Sequence, residues 1–141
     1  MIVNLQFFPQ KDSLKIVSAA EDMCVKVWDM VLSSEIATIK GATGRITSLQ
    51  FTNDFKTLIV ACLDGSFRLF NANKRFELLH SQKNVYSDSN QKDEEETEIT
   101  SLAYISYSAE SSFLAIGSQD GRLALFDLSK LEVCFVDEDP I

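Results

Sequence analysis

One imidazole, three thiols and 21 carboxylates are the side chains of this 141-residue protein that could carry chemistry. His80 has no Ser or Cys set around it in a nucleophile pattern, so it reads as a polar residue at a strand end. Cys24, Cys62 and Cys134 stand singly, without the close Cys or His spacing that a zinc site requires. They read as small strand residues that pack, and an odd count without a leader fits a reducing compartment. The segment Gly41-Ala42-Thr43-Gly44-Arg45 is too short for a phosphate loop and lacks the Lys-Ser/Thr that would follow. Residues 93–98 are rich in carboxylates, but a flexible run cannot hold two of them in fixed acid–base geometry. The expectation is therefore a chain without catalytic residues, metal ligands or cofactor.

Three other acids are placed by a rule. Asp22, Asp64 and Asp120 each precede an aromatic by six residues, namely Trp28, Phe70 and Phe126, and Asp29, Asn71 and Asp127 follow directly. Their spacing is better explained by turns than by acid chemistry. Upstream of each lies a matching stretch: Ile2-Val3-Asn4-Leu5-Gln6-Phe7, Ile46-Thr47-Ser48-Leu49-Gln50-Phe51 and Ile99-Thr100-Ser101-Leu102-Ala103-Tyr104. Downstream come further apolar stretches at 36–39, 76–79 and 133–136. The repeated unit reads strand, loop, strand, tight turn, strand, loop, strand. Asp64-Gly65 and Asp120-Gly121 between apolar runs signal hairpins, because such turns need positive φ. Asp22-Met23 lacks the glycine and predicts a looser or different turn. Val, Ile, Leu and Phe with incomplete alternation suit strands packed on both faces, and no long stretch has a clean helical period. The fold class is all-β.

A four-stranded unit recurring about every 42 residues, with an Asp before Trp-Asp, resembles the WD-repeat β-propeller. Val25-Lys26-Val27-Trp28-Asp29 is the clearest match; Leu69-Phe70-Asn71 and Leu125-Phe126-Asp127 are weaker versions. The resemblance implies three four-stranded antiparallel blades at about 2–39, 46–80 and 99–136, with an acidic loop at 81–97 and an acidic tail at 137–141. It places Trp28, Phe70 and Phe126 between neighbouring blades. Three blades cannot close a ring of about four to eight, so the chain is expected to be an incomplete ring: a fragment completed by further blades of the same polypeptide, the favoured reading, or one completed by another copy or another chain. The chain starts directly inside its first strand, which favours the fragment. Gly-His, a common opening of the family's repeats, is absent, and of the positions four before the turn Asp only Ser18 carries a hydroxyl. No complete His–Ser/Thr–Asp–Trp tetrad can be assigned, so each turn must hold itself by Asp-to-backbone bonds.

Net charge −8 and a pI near 4.6 argue against direct nucleic-acid binding. Asp93, Glu94, Glu95, Glu96, Glu98, Asp137, Glu138 and Asp139 supply that excess in two runs, read as a solvated loop and tail. No apolar run approaches the roughly 18 residues of a membrane helix, and a secretory leader is not visible, so an intracellular protein is expected. The family resemblance implies protein partners at the narrow face. There it places Arg45 and Glu98 before the inner strands, and Glu21, Leu63 and Gln119 before the turn Asp. Residues 25–31 and 40–44 are also similar to the transducin-beta-like nucleolar WD-repeat proteins of the small-subunit processome. That implies nucleolar residence and ribosomal RNA processing. The competing expectation is a cytoplasmic adaptor in ubiquitin-ligase, trafficking or signalling complexes.

Overall fold

The structure is a computed structural model that describes residues 1–10, 13–83, 99–106 and 111–137; of residues 9–10, 13 and 100–106 it describes the backbone alone. Every element within them is a strand. The first sheet holds β1 (Ile2–Gln10), β2 (Ser13–Ala20), β3 (Val25–Asp29) and β4 (Ser34–Ile39). The second holds β5 (Ile46–Phe51), β6 (Thr57–Cys62), β7 (Phe67–Asn71) and β8 (Glu77–Gln82). The third holds β9 (Ile99–Ser106), β10 (Ser112–Ser118), β11 (Leu123–Asp127) and β12 (Glu132–Val136). Each sheet is an antiparallel meander in chain order, and β1, β5 and β9 pack side by side along the inner edge. The all-β expectation of three propeller blades in an incomplete ring is met. Glu98, the run 93–98 and tail residues 138–141 lie outside the described residues.

Each sheet turns from its second to its third strand in the same way. Met23, Gly65 and Gly121 donate to the carbonyls of Ala20, Cys62 and Ser118 at 3.2 Å and take φ of 61°, 82° and 86°. Three-residue loops of this kind end in a left-handed residue, which glycine adopts without steric cost. The expected looser turn at Asp22-Met23 is therefore not found. Met23 is forced into the glycine conformation because Asp22 and the flanking strands impose the same loop. The turn Asp holds the loop: Oδ1 of Asp22, Asp64 and Asp120 accepts from the backbone N–H of Cys24, Ser66 and Arg122 at 3.1, 3.0 and 3.3 Å.

The residue after the aromatic caps the outer turn. Asp29 Oδ1 accepts from the N–H groups of Val31 and Leu32, Asn71 Oδ1 from Asn73, and Asp127 Oδ1 from Ser129 and Lys130. Asn and Asp side chains mimic a backbone turn in this way.

Two cores separate the three sheets. Between the first and second, Val17, Ala19, Val25 and Val27 meet Leu49, Phe51, Leu58, Val60 and Phe70, with Phe8 stacked on Phe51 at 4.9 Å between ring centroids. Between the second and third, Ile59, Ala61, Phe67 and Leu69 meet Leu114, Ile116, Ala124 and Phe126, with Phe67 edge-on to Phe126 at 4.9 Å. Alternate residues of β6 thus enter different cores, which is why its apolar run is continuous. Phe70 and Phe126 point toward the preceding sheet. Trp28 occupies the same place in the first sheet, but no other described strand packs on that face, so it is partly buried rather than enclosed. Its indole N–H donates to Ser18 Oγ at 2.9 Å.

Two small expectations fail. Only Cys62 packs as a strand residue; Cys24 lies in the turn before β3, and Cys134 is exposed on outermost β12. His80 is mid-strand in β8, its ring 5.5 Å from Phe126 across the interface between sheets.

Candidate protein-docking rim

The hairpin turns and the loops joining one sheet to the next share one end of the strands. Antiparallel pairing carries the β4–β5 loop to the β6–β7 turn, where the Leu63 N–H donates to the Arg45 carbonyl at 2.7 Å. Arg45 reaches back to the first sheet and pairs with Glu21, Nη2 to Oε1 3.5 Å, while Glu21 Oε2 lies 3.5 Å from the N-terminal amine. Arg45 and Glu21 are exposed, so these ion pairs contribute little to stability, within about 1 kcal/mol each. Leu63 is partly buried beside them, because its backbone is tied to Arg45. Gln119 is exposed on the corresponding turn of the third sheet, and Glu98 is not among the described residues. Three of the five candidates, Arg45, Glu21 and Leu63, thus come together across the first two sheets.

Sequence reasoning missed the residue that fixes this loop. Thr43 donates to Asp64 Oδ2 at 2.5 Å and lies 3.2 Å from Ser66 Oγ, while Ser66 donates to Asp64 Oδ1 at 2.5 Å. Gly44 lets the loop come close: a Cβ there would meet the Asp64 side chain at 3.3 Å. Burial alone would raise the Asp64 pKa, but the bonds from Ser66 and Thr43 outweigh it and hold the carboxyl below its ordinary range. In the third sheet Asp120 is held low in the same sense by the Ser118 hydroxyl, with Arg122 Nε at 2.7 Å from Oδ2. Burial, and then the charge of Asp64, push the Cys62 thiol up, so it is a poor nucleophile.

The signal for Thr43 was its place in the β4–β5 loop, where the family's repeats often begin with Gly-His. The loop-to-turn contact survives here with a hydroxyl, and the Ser–Trp contact survives in the first sheet alone among the described residues. Among the described residues, no group of three His, Cys, Asp or Glu gathers in metal-binding geometry. A separate cleft of about 330 Å³ opens at the opposite end, between the second and third sheets, lined by Thr52, Asp54, Leu69, Leu79, Ser129 and Leu131 among others.

The pattern of the WD domain, G-beta repeat family matches residues 3–29, 33–71 and 89–127. This chain belongs to the WD-repeat family. The match at 33–71 begins one strand ahead of the second sheet and runs from β4 through β7. WD-repeat chains act generally as protein-interaction modules, which gives the rim its context. Mitochondrial division protein 1 of Saccharomyces cerevisiae is 31% identical over 115 residues, 76% of this chain. Angio-associated migratory cell protein of Canis lupus familiaris is 27% identical over 128 residues, or 84% of it. Coronin-7 of Mus musculus is 30% identical over 69 residues, or 49% of it. The WD-repeat chain spans 15%, 28% and 7% of the lengths of these relatives.

Proposed function

We propose that this WD-repeat segment is a non-catalytic docking module within a larger scaffold, and that it engages protein partners at the rim built by Arg45, Glu21 and Leu63, with Gln119 extending it. The observation that carries the reading is the convergence of an exposed arginine and a leucine from one loop–turn pair onto a rim held by Thr43 and Asp64. Arginine is enriched among the few residues that dominate interface energy when a partner desolvates them.

The adaptor reading outside the nucleolus is the one we favour. The match to a mitochondrial division protein extends over 115 residues, whereas the nucleolar resemblance rests on residues 25–31 and 40–44. None of the three relatives carries a nucleolar or ribosomal name. Imaging the tagged full-length protein separates the two: exclusion from nucleoli supports the adaptor, and nucleolar concentration overturns it.

The rim itself is tested by Arg45→Glu combined with Leu63→Asp in the full-length protein. Proteins that co-purify with the parent should fall at least about tenfold while the thermal midpoint falls by no more than about a few degrees. Undiminished recovery would place docking elsewhere on the molecule.

A further inference from the structure

We infer that the cleft edge between the first two sheets captures an acidic side chain of a protein partner, and that Arg68 receives it. The inference rests on reading the rim above it as a docking surface.

Arg68 lies mid-strand in β7, opposite Val60 of β6. Val60 belongs to the core between the first and second sheets, and cross-strand partners share a face, so the Arg68 side chain enters that interface. Its counterpart in the third sheet, two residues before the aromatic, is Ala124, which is fully buried. A guanidinium thus stands where the other interface has a methyl group. Arg68 Nη1 is buried and has no hydrogen-bond partner. No carboxylate among the described residues lies within ion-pair distance of Arg68. Buried polar groups are almost always satisfied, so a buried cationic N–H without an acceptor points to one supplied from outside.

The place for that acceptor is adjacent. A cavity of about 10 Å³ is walled by Arg68, Lys40, Met23, Ala42 and Phe70 among others, and no acid lines it. Room of that size holds one oxygen atom. Met23 and Lys40 stand exposed at its mouth and can swing aside for a longer group. A carboxylate oxygen entering there meets two cations in an otherwise apolar wall, where charge-assisted hydrogen bonds are strongest. A water fits the same space, but a carboxylate oxygen adds a charge-assisted bond to Nη1 that Asp64, close enough to feel the Arg68 charge but bonded to Thr43 and Ser66, does not make, and this favours the acid.

Fluorescence anisotropy on the full-length protein tests the inference with two probes: a blocked, labelled alanine-rich peptide carrying one glutamate, and its glutamine counterpart. The glutamate peptide should bind about tenfold more tightly, and Arg68→Met should erase that preference. Without peptide, Arg68→Met should melt no lower than the parent, because it removes a partly buried guanidinium with an unsatisfied N–H. Lys40→Gln, a surface change that leaves the fold intact, should weaken the preference about threefold, and it keeps the inference testable if Arg68→Met does not fold. Equal binding of the two peptides to the parent, or a preference that survives both substitutions, would mean the cavity holds water only. That failure is separate from failure of the rim, which the Arg45/Leu63 variant reads through recovered partners.

Discussion

Single residues carry the conformational costs of this fold, and Met23 carries the plainest one. It sits at φ 61°, in the loop position that Gly65 and Gly121 fill in the other sheets. Left-handed backbone costs an L-residue about 1–2 kcal/mol, partly offset by the extra freedom glycine has when unfolded. Met23→Gly should therefore raise the unfolding free energy by about 0.5–1 kcal/mol in denaturant titration; a loss would mean the Met23 side chain packs more than its exposure indicates. The aromatics divide by environment. Phe126→Ala should cost about 3–5 kcal/mol, the usual range for emptying a large buried site, and Trp28→Ala clearly less in this chain, because one side of the indole is uncovered. Equal losses would contradict the assignment of Trp28 to a free face. Asp64 gives a pH signature. Its folded pKa is depressed, so its contribution is present above the ordinary carboxylate range and is lost as pH falls through the folded value. Asp64→Asn should melt below the parent at neutral pH, and the gap should close on acidification from about pH 5 toward pH 2. A gap constant with pH would show that the ionised form is not what the Thr43 and Ser66 bonds stabilise.

At the scale of elements, turns decide the register of each sheet, and the outer ones are held by the residue after the aromatic. Asp127 is nearly buried and accepts from two backbone N–H groups of the β11–β12 turn. Asp127→Ala leaves both without that acceptor and should cost about 1–3 kcal/mol by calorimetry, whereas Asp127→Asn should recover most of it. Equal loss in both variants would mean that the carboxylate charge, rather than the turn geometry, is required. These elements were legible from local patterns: the Asp-to-aromatic spacing located β3, β7 and β11, and incomplete alternation pointed to strands packed on both faces. The Asp22 turn was misread because dihedral preference was weighed by residue type, while the strand register imposes the same loop on methionine as on glycine. Cys134 was misread because an apolar stretch does not reveal whether the outermost strand has a neighbour. Thr43 stayed hidden because its role depends on a contact 21 residues away. Arg68 was not singled out, because only the cross-strand register shows that its side chain enters a core.

Among the described residues, the three sheets leave an apolar face uncovered at each end. On the first sheet, Leu5 pairs with Ser18, and Phe7 with Ile16, which pairs in turn with Trp28, so Leu5, Phe7, Ile16 and Trp28 share one face. Leu5 and Phe7 are 56% and 66% exposed there, although their counterparts Leu49 and Phe51 in the second sheet are buried. On the third sheet Ala115, Leu125 and Phe135 align across β10, β11 and β12 on the side away from Phe126, and Phe135 is 50% exposed. In the second sheet both equivalent faces are covered by its neighbours. Apolar faces of this kind drive association, and the outer strands β4, β8 and β12 present edges that add a second route. The central claim is that these faces are made to be covered by further blades. Sedimentation velocity of the purified 141-residue chain over a range of concentrations tests it most directly. The account predicts concentration-dependent oligomers, with a discrete species recovered when adjoining blades are supplied on the same polypeptide. A sharp monomer at every concentration, unfolding in one cooperative transition, would contradict it.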